Sequence, residues 1–298
     1  DRTLLLVHGL NGKSTQFTDF MTNPAFTKFY NNIIAIDYYK DNNFSGNGLQ
    51  KGFDNNTPIE EIGDAIAQYI IDHPNKFHKT IDIIAYSMGG LVVRSMIKRN
   101  YPNLADKGYK IDDIALLATP NHGIKILNIP IFMIILLFSA SFILRSYFSF
   151  KLILSIFITI SLSLFSLIII YFQRKISGFQ GKQLSSSKSN SFIKLLNQFD
   201  ETPYGIDDIN EHYKDITWST FYGKGFHIGH FLMLLINPLD LLSNSDGIVP
   251  CSSVPIEGAA NYGPYPLNHD QILRINDPKN AELFTDLYRE LTTLRILA

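Results

Sequence analysis

The residues of this chain that could do chemistry gather around one serine. Ser87 stands in Ala85-Tyr86-Ser87-Met88-Gly89-Gly90, directly after the apolar run 81–85 and before a run with helical spacing from Gly89 to about Asn100. A serine on a tight strand-to-helix turn is presented as a nucleophile, and the turn needs small residues on both sides because backbone passes close by. Ala85 and Gly89 supply them, and a serine that merely capped a helix would not need Ala85, Gly89 and Gly90 together. The amide groups at the start of the helix behind it suit a negative charge developing on a substrate oxygen.

An oxyanion site needs a second backbone donor from another loop. His8-Gly9-Leu10-Asn11-Gly12 follows the first apolar run, 3–7, and its Leu10 N–H is the candidate to pair with the Met88 N–H, while His8 and Gly9 shape the loop rather than react. The serine also needs a base, and the base a carboxylate that orients it. His269, in Leu267-Asn268-His269-Asp270, follows a glycine- and proline-rich loop and precedes the last helical run, which places it best for the base. His122, in Thr119-Pro120-Asn121-His122-Gly123, follows a strand end and is a candidate pocket residue. His73 and His78 flank a helix end, His212 lies in a polar stretch, and His227 with His230 is by itself a weak metal-pair signal. Asp246, in Ser245-Asp246-Gly247-Ile248-Val249-Pro250, is the best acid, since Asp-Gly stands beside an apolar, strand-like run.

The elements that must position these residues alternate. Apolar runs at 3–7, 33–36, 81–85, 114–118 and 216–222 read as strands, and helical periodicity fills the gaps, with Ile59, Ile62, Ile66 and Ile70 on one face of the first long helix. Thr57-Pro58-Ile59-Glu60 reads as its capping start. Asp277-Pro278 opens a last helix with Leu283, Phe284, Leu287, Leu291 and Leu294 inward. Such alternation calls for a mostly parallel sheet with crossover helices.

Composition then changes abruptly. Residues 126–144 and 152–172 carry no charge, and each run is about the length a helix needs to cross a bilayer. Because neither run offers a polar face, a membrane helical hairpin is expected there rather than two soluble core helices. Arg145 and Lys151 lie between the runs and Arg174-Lys175 closes the second, so basic residues at both ends leave the orientation open. The division expected is 1–123 as the first part of the core, 124–180 as the inserted hairpin, and 181–298 as the second part of the core. The net charge of −1 gives no field for nucleic acid, and the single cysteine, Cys251, excludes an intrachain disulfide. The chain opens at Asp1 without methionine, and is expected to be a fragment or processed form that could have lost a signal or anchor.

These motifs together resemble the bacterial-type true lipases and related esterases of the α/β-hydrolase superfamily. The matching pieces are the His8 to Gly12 loop, the turn at Ser87, Leu117-Ala118-Thr119-Pro120-Asn121-His122-Gly123, Asp246-Gly247-Ile248-Val249 and Asn268-His269-Asp270. Ala85 replaces the usual first glycine of the turn, as in similar lipases. The resemblance implies an α/β-hydrolase fold, with helices on both faces of the sheet and the apolar hairpin at the lid position. It implies a Ser87–Asp246–His269 triad in the chain order this fold uses, and an oxyanion hole from Leu10 and Met88. The implied activity is serine carboxylic ester hydrolysis of lipid or other hydrophobic acyl esters at a membrane. An acyltransferase, a phospholipase or inositol deacylase, and a non-catalytic tether remain alternatives. No cofactor and no metal is expected. Calcium, which some relatives bind, would need carboxylates such as Asp240 and Asp270, and is the lesser expectation.

Overall fold

In the computed structural model, which describes residues 1–39, 48–124, 178–185, 191–197, 215–225 and 244–292, the apolar runs lie side by side as parallel strands. In chain order they are β1 (Arg2–Val7), β2 (Asn32–Tyr39), β3 (Gly48–Phe53), β4 (Thr80–Tyr86), β5 (Lys110–Leu117), β6 (Thr217–Gly223) and β7 (Ala260–Tyr265). Their order across the sheet is β3-β2-β1-β4-β5-β6-β7, and every pairing is parallel. A parallel sheet covered on both faces needs apolar side chains in both directions, which is why its central strands read as continuous apolar runs.

Alternate residues of each strand serve opposite faces. Leu5 and Val7 of β1 join Ile59, Ile62, Ile66 and Ile70 of α3 (Ile59–Asp72) and Leu91, Val92 and Met96 of α4 (Met88–Asp106). Leu4 and Leu6 face the other way. There they meet Phe17, Phe20 of α1 (Thr18–Thr22), Phe26 of α2 (Pro24–Phe29), and Leu283, Leu287 and Leu291 of the C-terminal helix Ala281–Thr292. The α/β-hydrolase fold expected from the motifs is therefore present, with helices on both faces.

Three local expectations need correction. Thr57 does not cap α3. Its Oγ1 is already taken by the Asp54 amide at 3.1 Å, and the helix begins at Ile59, whose N–H donates to Gln183 Oε1 at 2.8 Å. The glycine- and proline-rich stretch before His269 is not loop alone but contains β7. Helix α4 runs past Asn100, through Pro102, to Asp106.

The strand order reverses between β1 and β4, so their carboxyl ends open into the crevice where ligands bind in such sheets. Chain leaves β5 at the same edge. Ile124 forms an isolated parallel bridge with Ser185, its N–H donating to Leu184 O at 2.7 Å, so the chain before 125 and after 177 meets. Two short helices follow, α5 (Phe179–Leu184) and α6 (Ser191–Leu196), and the C-terminal helix is thus α7. Among the described residues no helix is long and apolar enough to cross a membrane. The expected hairpin at 126–172 lies outside the described residues, as do Leu294, His212, His227, His230 and Asp240.

Candidate active site

Ser87 follows β4 with φ 53° and ψ −129°, a strained conformation for a residue with a side chain. Its amide is held in place by Leu117 O at 2.8 Å. Tyr86 and Met88 on either side are buried, while Ser87 keeps partial exposure. The glycines are required by proximity. A Cβ on Gly9 would lie 2.8 Å from Ser87 Cβ, and one on Gly89 would run into the carbonyl oxygens of Val7 and His8. The start of α4 and the loop after β1 are thus pressed together around the serine.

His269 arrives from the loop after β7. Its Nε2 stands 3.1 Å from Ser87 Oγ and its Nδ1 2.7 Å from Asp246 Oδ2, at 4% and 2% exposure for His269 and Asp246. The other carboxylate oxygen of Asp246 accepts the Ile248 and Val249 amides at 2.9 and 2.7 Å, and the His269 amide donates to Asp246 O at 2.9 Å. The run after Asp246 is therefore not strand-like. Its amides are turned onto the carboxylate, and only Ser245 and Pro250 form a bridge. The structure brings together the three residues singled out in the sequence, from loops after β4, β6 and β7. It adds Tyr86, whose hydroxyl donates to His269 O at 3.1 Å and whose ring lies 5.0 Å from the imidazole. Burial, with Asp270 and Asp246 nearby, holds its phenol well above the usual range, so it stays a donor.

The loop after β1 is held from below. Gly12 N–H donates to Gly9 O at 3.0 Å, and the Tyr38 hydroxyl reaches His8 O at 2.5 Å and Gly9 O at 3.1 Å. His8 is fully buried, stacks on Tyr38 with ring centroids 3.9 Å apart, and points Nδ1 at Gly9 O at 2.9 Å. Burial pulls its pKa down to about 4, so it is neutral. Asp37 beside it accepts Ser14 N–H and Oγ–H at 2.6 and 2.7 Å. The amides of Leu10 and Met88 take part in no hydrogen bond among the described residues. Tyr38 carried no signal in the sequence beyond its place at the carboxyl end of β2.

His122 binds the loops beside the site: its Nε2 donates to Pro255 O at 2.8 Å and its amide to Ser253 O at 3.0 Å. Next to it Arg94 of α4 is fully buried, donating to Asn121 Oδ1, Leu196 O and Asn197 Oδ1 at 3.3, 3.2 and 2.9 Å. Burial lowers its guanidinium to about 9, which leaves it charged at neutral pH. Asp82, Asp112 and Asp113 form the one carboxylate group among the described residues close enough to hold a cation. It lies toward the amino ends of β4 and β5, away from Ser87, and Arg2 already bridges Asp82 and Asp112 there at 3.2 and 2.7 Å.

A serine at the switch point of a doubly covered parallel sheet, with imidazole and carboxylate in line behind it, is the arrangement of a serine hydrolase. Residues 1–133, from β1 past β5, match the family model described as "Putative serine esterase (DUF676)". Among solved structures the chain is similar to the mature lipase BlEst2 of Bacillus licheniformis, with a TM-score of 0.58 and 16% identity over 96% of this chain and 91% of that one. It is also similar to phospholipase PlaB of Legionella pneumophila, with a TM-score of 0.54 and 16% identity over 98% of this chain and 60% of that one. At such identity the likeness is one of fold. No curated protein sequence matches the chain.

Proposed function

We propose that the protein hydrolyses carboxylic esters of hydrophobic acyl groups, lipid esters among them, with Ser87 as nucleophile, His269 as base and Asp246 as its orienting acid. The observation that carries this reading is the unbroken line Ser87 Oγ–His269 Nε2 at 3.1 Å and His269 Nδ1–Asp246 Oδ2 at 2.7 Å. Ser87 Oγ attacks the ester carbonyl and its proton passes to Nε2. Asp246 keeps Nδ1–H donated to it and stabilises the imidazolium. The carbonyl oxygen, now negative, is received by the amides of Leu10 and Met88. Collapse breaks the ester C–O bond, the leaving alcohol takes the proton from His269, and water, deprotonated by the same ring, releases the acid from the acyl-serine.

The uncharged runs 126–144 and 152–172 support a lipid substrate, since they would hold this edge of the sheet against a bilayer. Lipase and phospholipase neighbours support the same substrate class.

The test is labelling of the full-length chain with a fluorophosphonate probe, beside Ser87→Ala and His269→Ala. Labelling should vanish with the first and slow by about 10²-fold or more with the second, the range that loss of a general base costs. Undiminished labelling of Ser87→Ala would overturn the assignment.

A further inference from the structure

We propose that Tyr38 is a positioning residue for the oxyanion site, its hydroxyl locking the peptides on either side of Gly9 so that the Leu10 N–H is aimed. This rests on the reading above in which that amide receives the oxyanion. A trans peptide holds its C=O and N–H in opposite directions in one plane. Whatever fixes Gly9 O therefore fixes the direction of Leu10 N–H. Gly12 N–H at 3.0 Å and His8 Nδ1 at 2.9 Å donate to that oxygen, and the Tyr38 hydroxyl, 3.1 Å away, shares its one hydrogen between it and His8 O. The same hydroxyl lies 2.5 Å from His8 O, so it spans the carbonyls on both sides of the most flexible residue in the loop. Without these donors the Gly9–Leu10 peptide could turn over at little steric cost.

The arrangement accounts for details that the triad leaves unexplained. Gly9 O can only accept, so His8 carries its proton on Nδ1, and Nε2 is left bare. That atom is indeed buried without a hydrogen-bond partner. A Cβ on Gly12 would come within 3.0 Å of both Gly9 O and His8 Nδ1, in the middle of this cluster. Burial keeps the Tyr38 phenol protonated, its pKa pushed well above the usual range. The other flank of Leu10 is tied as well. Asn11 Oδ1 accepts from Asn55 Nδ2 at 2.8 Å, the Gln180 amide donates to Asn55 O at 3.1 Å, and Tyr39 donates to the buried Gln180 Oε1 at 2.6 Å. Gln180 belongs to α5, the first helix described after residue 177, so the loop that carries Leu10 is pinned to the chain returning from the apolar segment.

The experiment is Tyr38→Phe in the full chain, which removes one oxygen and keeps the ring that stacks on His8. Turnover of a soluble short-chain ester is normalised to active sites titrated with a fluorophosphonate. Inhibition by a trifluoromethyl ketone of the same acyl group, whose adduct with Ser87 places a negative oxygen in the site, is measured alongside. The expected result is a kcat lower by about 10- to 100-fold, below the ~10²–10³ cost of deleting an oxyanion donor outright. KM should stay within about twofold, and the ketone's inhibition constant should rise by the factor kcat falls, because both report the transition-state oxyanion. A residue that merely supports folding would lower the number of titratable sites and leave turnover per site unchanged. That result, or a lowered kcat with ketone affinity retained, overturns the proposal. If Tyr38→Phe does not fold, His8→Phe removes another donor to the same carbonyl and meets the same criteria. Ser87→Ala separates the two levels. If it stays active, the triad assignment itself fails; if it is dead while Tyr38→Phe turns over normally per site, only the role of Tyr38 does.

Discussion

Replacing Gly89 by alanine tests whether the close approach of α4 to β1 holds the site together. The added methyl would meet the carbonyl oxygens of Val7 and His8 and sit 2.9 Å from His8 C. Carbon atoms rest at about 3.5–4.0 Å, so the start of α4 must retreat by roughly 1 Å. The obstacles are backbone atoms of a central strand and of the loop leaving it, and neither can rotate away. Overpacking of this kind costs about 1–3 kcal/mol, and a 1 Å displacement of reacting groups can cost about 10²-fold in turnover. Gly90→Ala provides the comparison, because its methyl would meet the Thr119 side chain: Oγ1, then Cγ2 at 2.5 Å and Cβ at 2.8 Å. Thr119→Ala removes the two closest of these atoms, and its hydroxyl is buried without a partner, so little hydrogen bonding is lost. Thermal melting and turnover per titrated site would be measured for Gly89→Ala, Gly90→Ala and each combined with Thr119→Ala. Both single variants should melt lower, by ~2–4 °C per kcal/mol for a chain of this size or somewhat less. Only Gly90→Ala should be partly rescued by the second change. A Gly89→Ala protein with wild-type melting and turnover, or one rescued equally by Thr119→Ala, would refute the reasoning.

Two further predictions concern the membrane and pH. Deleting 126–172 and rejoining the ends with a short linker should lower activity on bilayer-embedded esters relative to soluble short-chain esters, and an unchanged ratio would separate the segment from substrate supply. His8 is held at a pKa of about 4 against 6.5 when free, so between those values the unfolded chain takes up a proton that the folded chain refuses. Its contribution is complete above pH 6.5 and is lost as pH falls toward 4, by up to about 3 kcal/mol, so the wild type should lose stability over that window more steeply than His8→Phe in denaturant melts.

Parts of the structure that announce themselves locally were legible in the sequence. Strands β1, β4 and β5 are covered on both faces, so their carboxyl-terminal halves are continuous apolar runs, and the turn at Ser87 needs its small neighbours within a few residues. Asp246 and His269 could be placed because each ends up on a loop at the carboxyl edge, in chain order after the serine. Strands β3 and β7 were missed because, among the described residues, both lie at the ends of the sheet with a partner strand on one side. Their sequences, with Gly48, Gly52, Gly263 and Pro264, read as turns. The cap of α3 and the supports of the Leu10 loop were missed for another reason. Gln183 reaches Ile59 and Gln180 reaches Tyr39 across 124 and 141 residues, and a polar contact of that span leaves no periodicity in the chain.

Those same long contacts explain how a large segment can be set between β5 and β6 without disturbing the sheet. Its near ends meet at Ile124 and Ser185, and β5 and β6 on either side pair in parallel register. Beyond that junction several described anchors bind the chain near the candidate site, and others bind α3 and the loop before it. Gln180 binds the tyrosine next to Tyr38, Gln183 completes the start of α3, and Arg94 grips Asn121, Leu196 and Asn197 from two turns along the helix that begins behind Ser87. Burying a guanidinium is costly unless its donors are occupied, so Arg94 favours the arrangement in which both flanks of the segment are docked. A shift in the segment's returning leg would thus be felt first at the loop bearing Leu10 and at the body of α4, before it reached the Asp246–His269 pair, which is tied within its own loops.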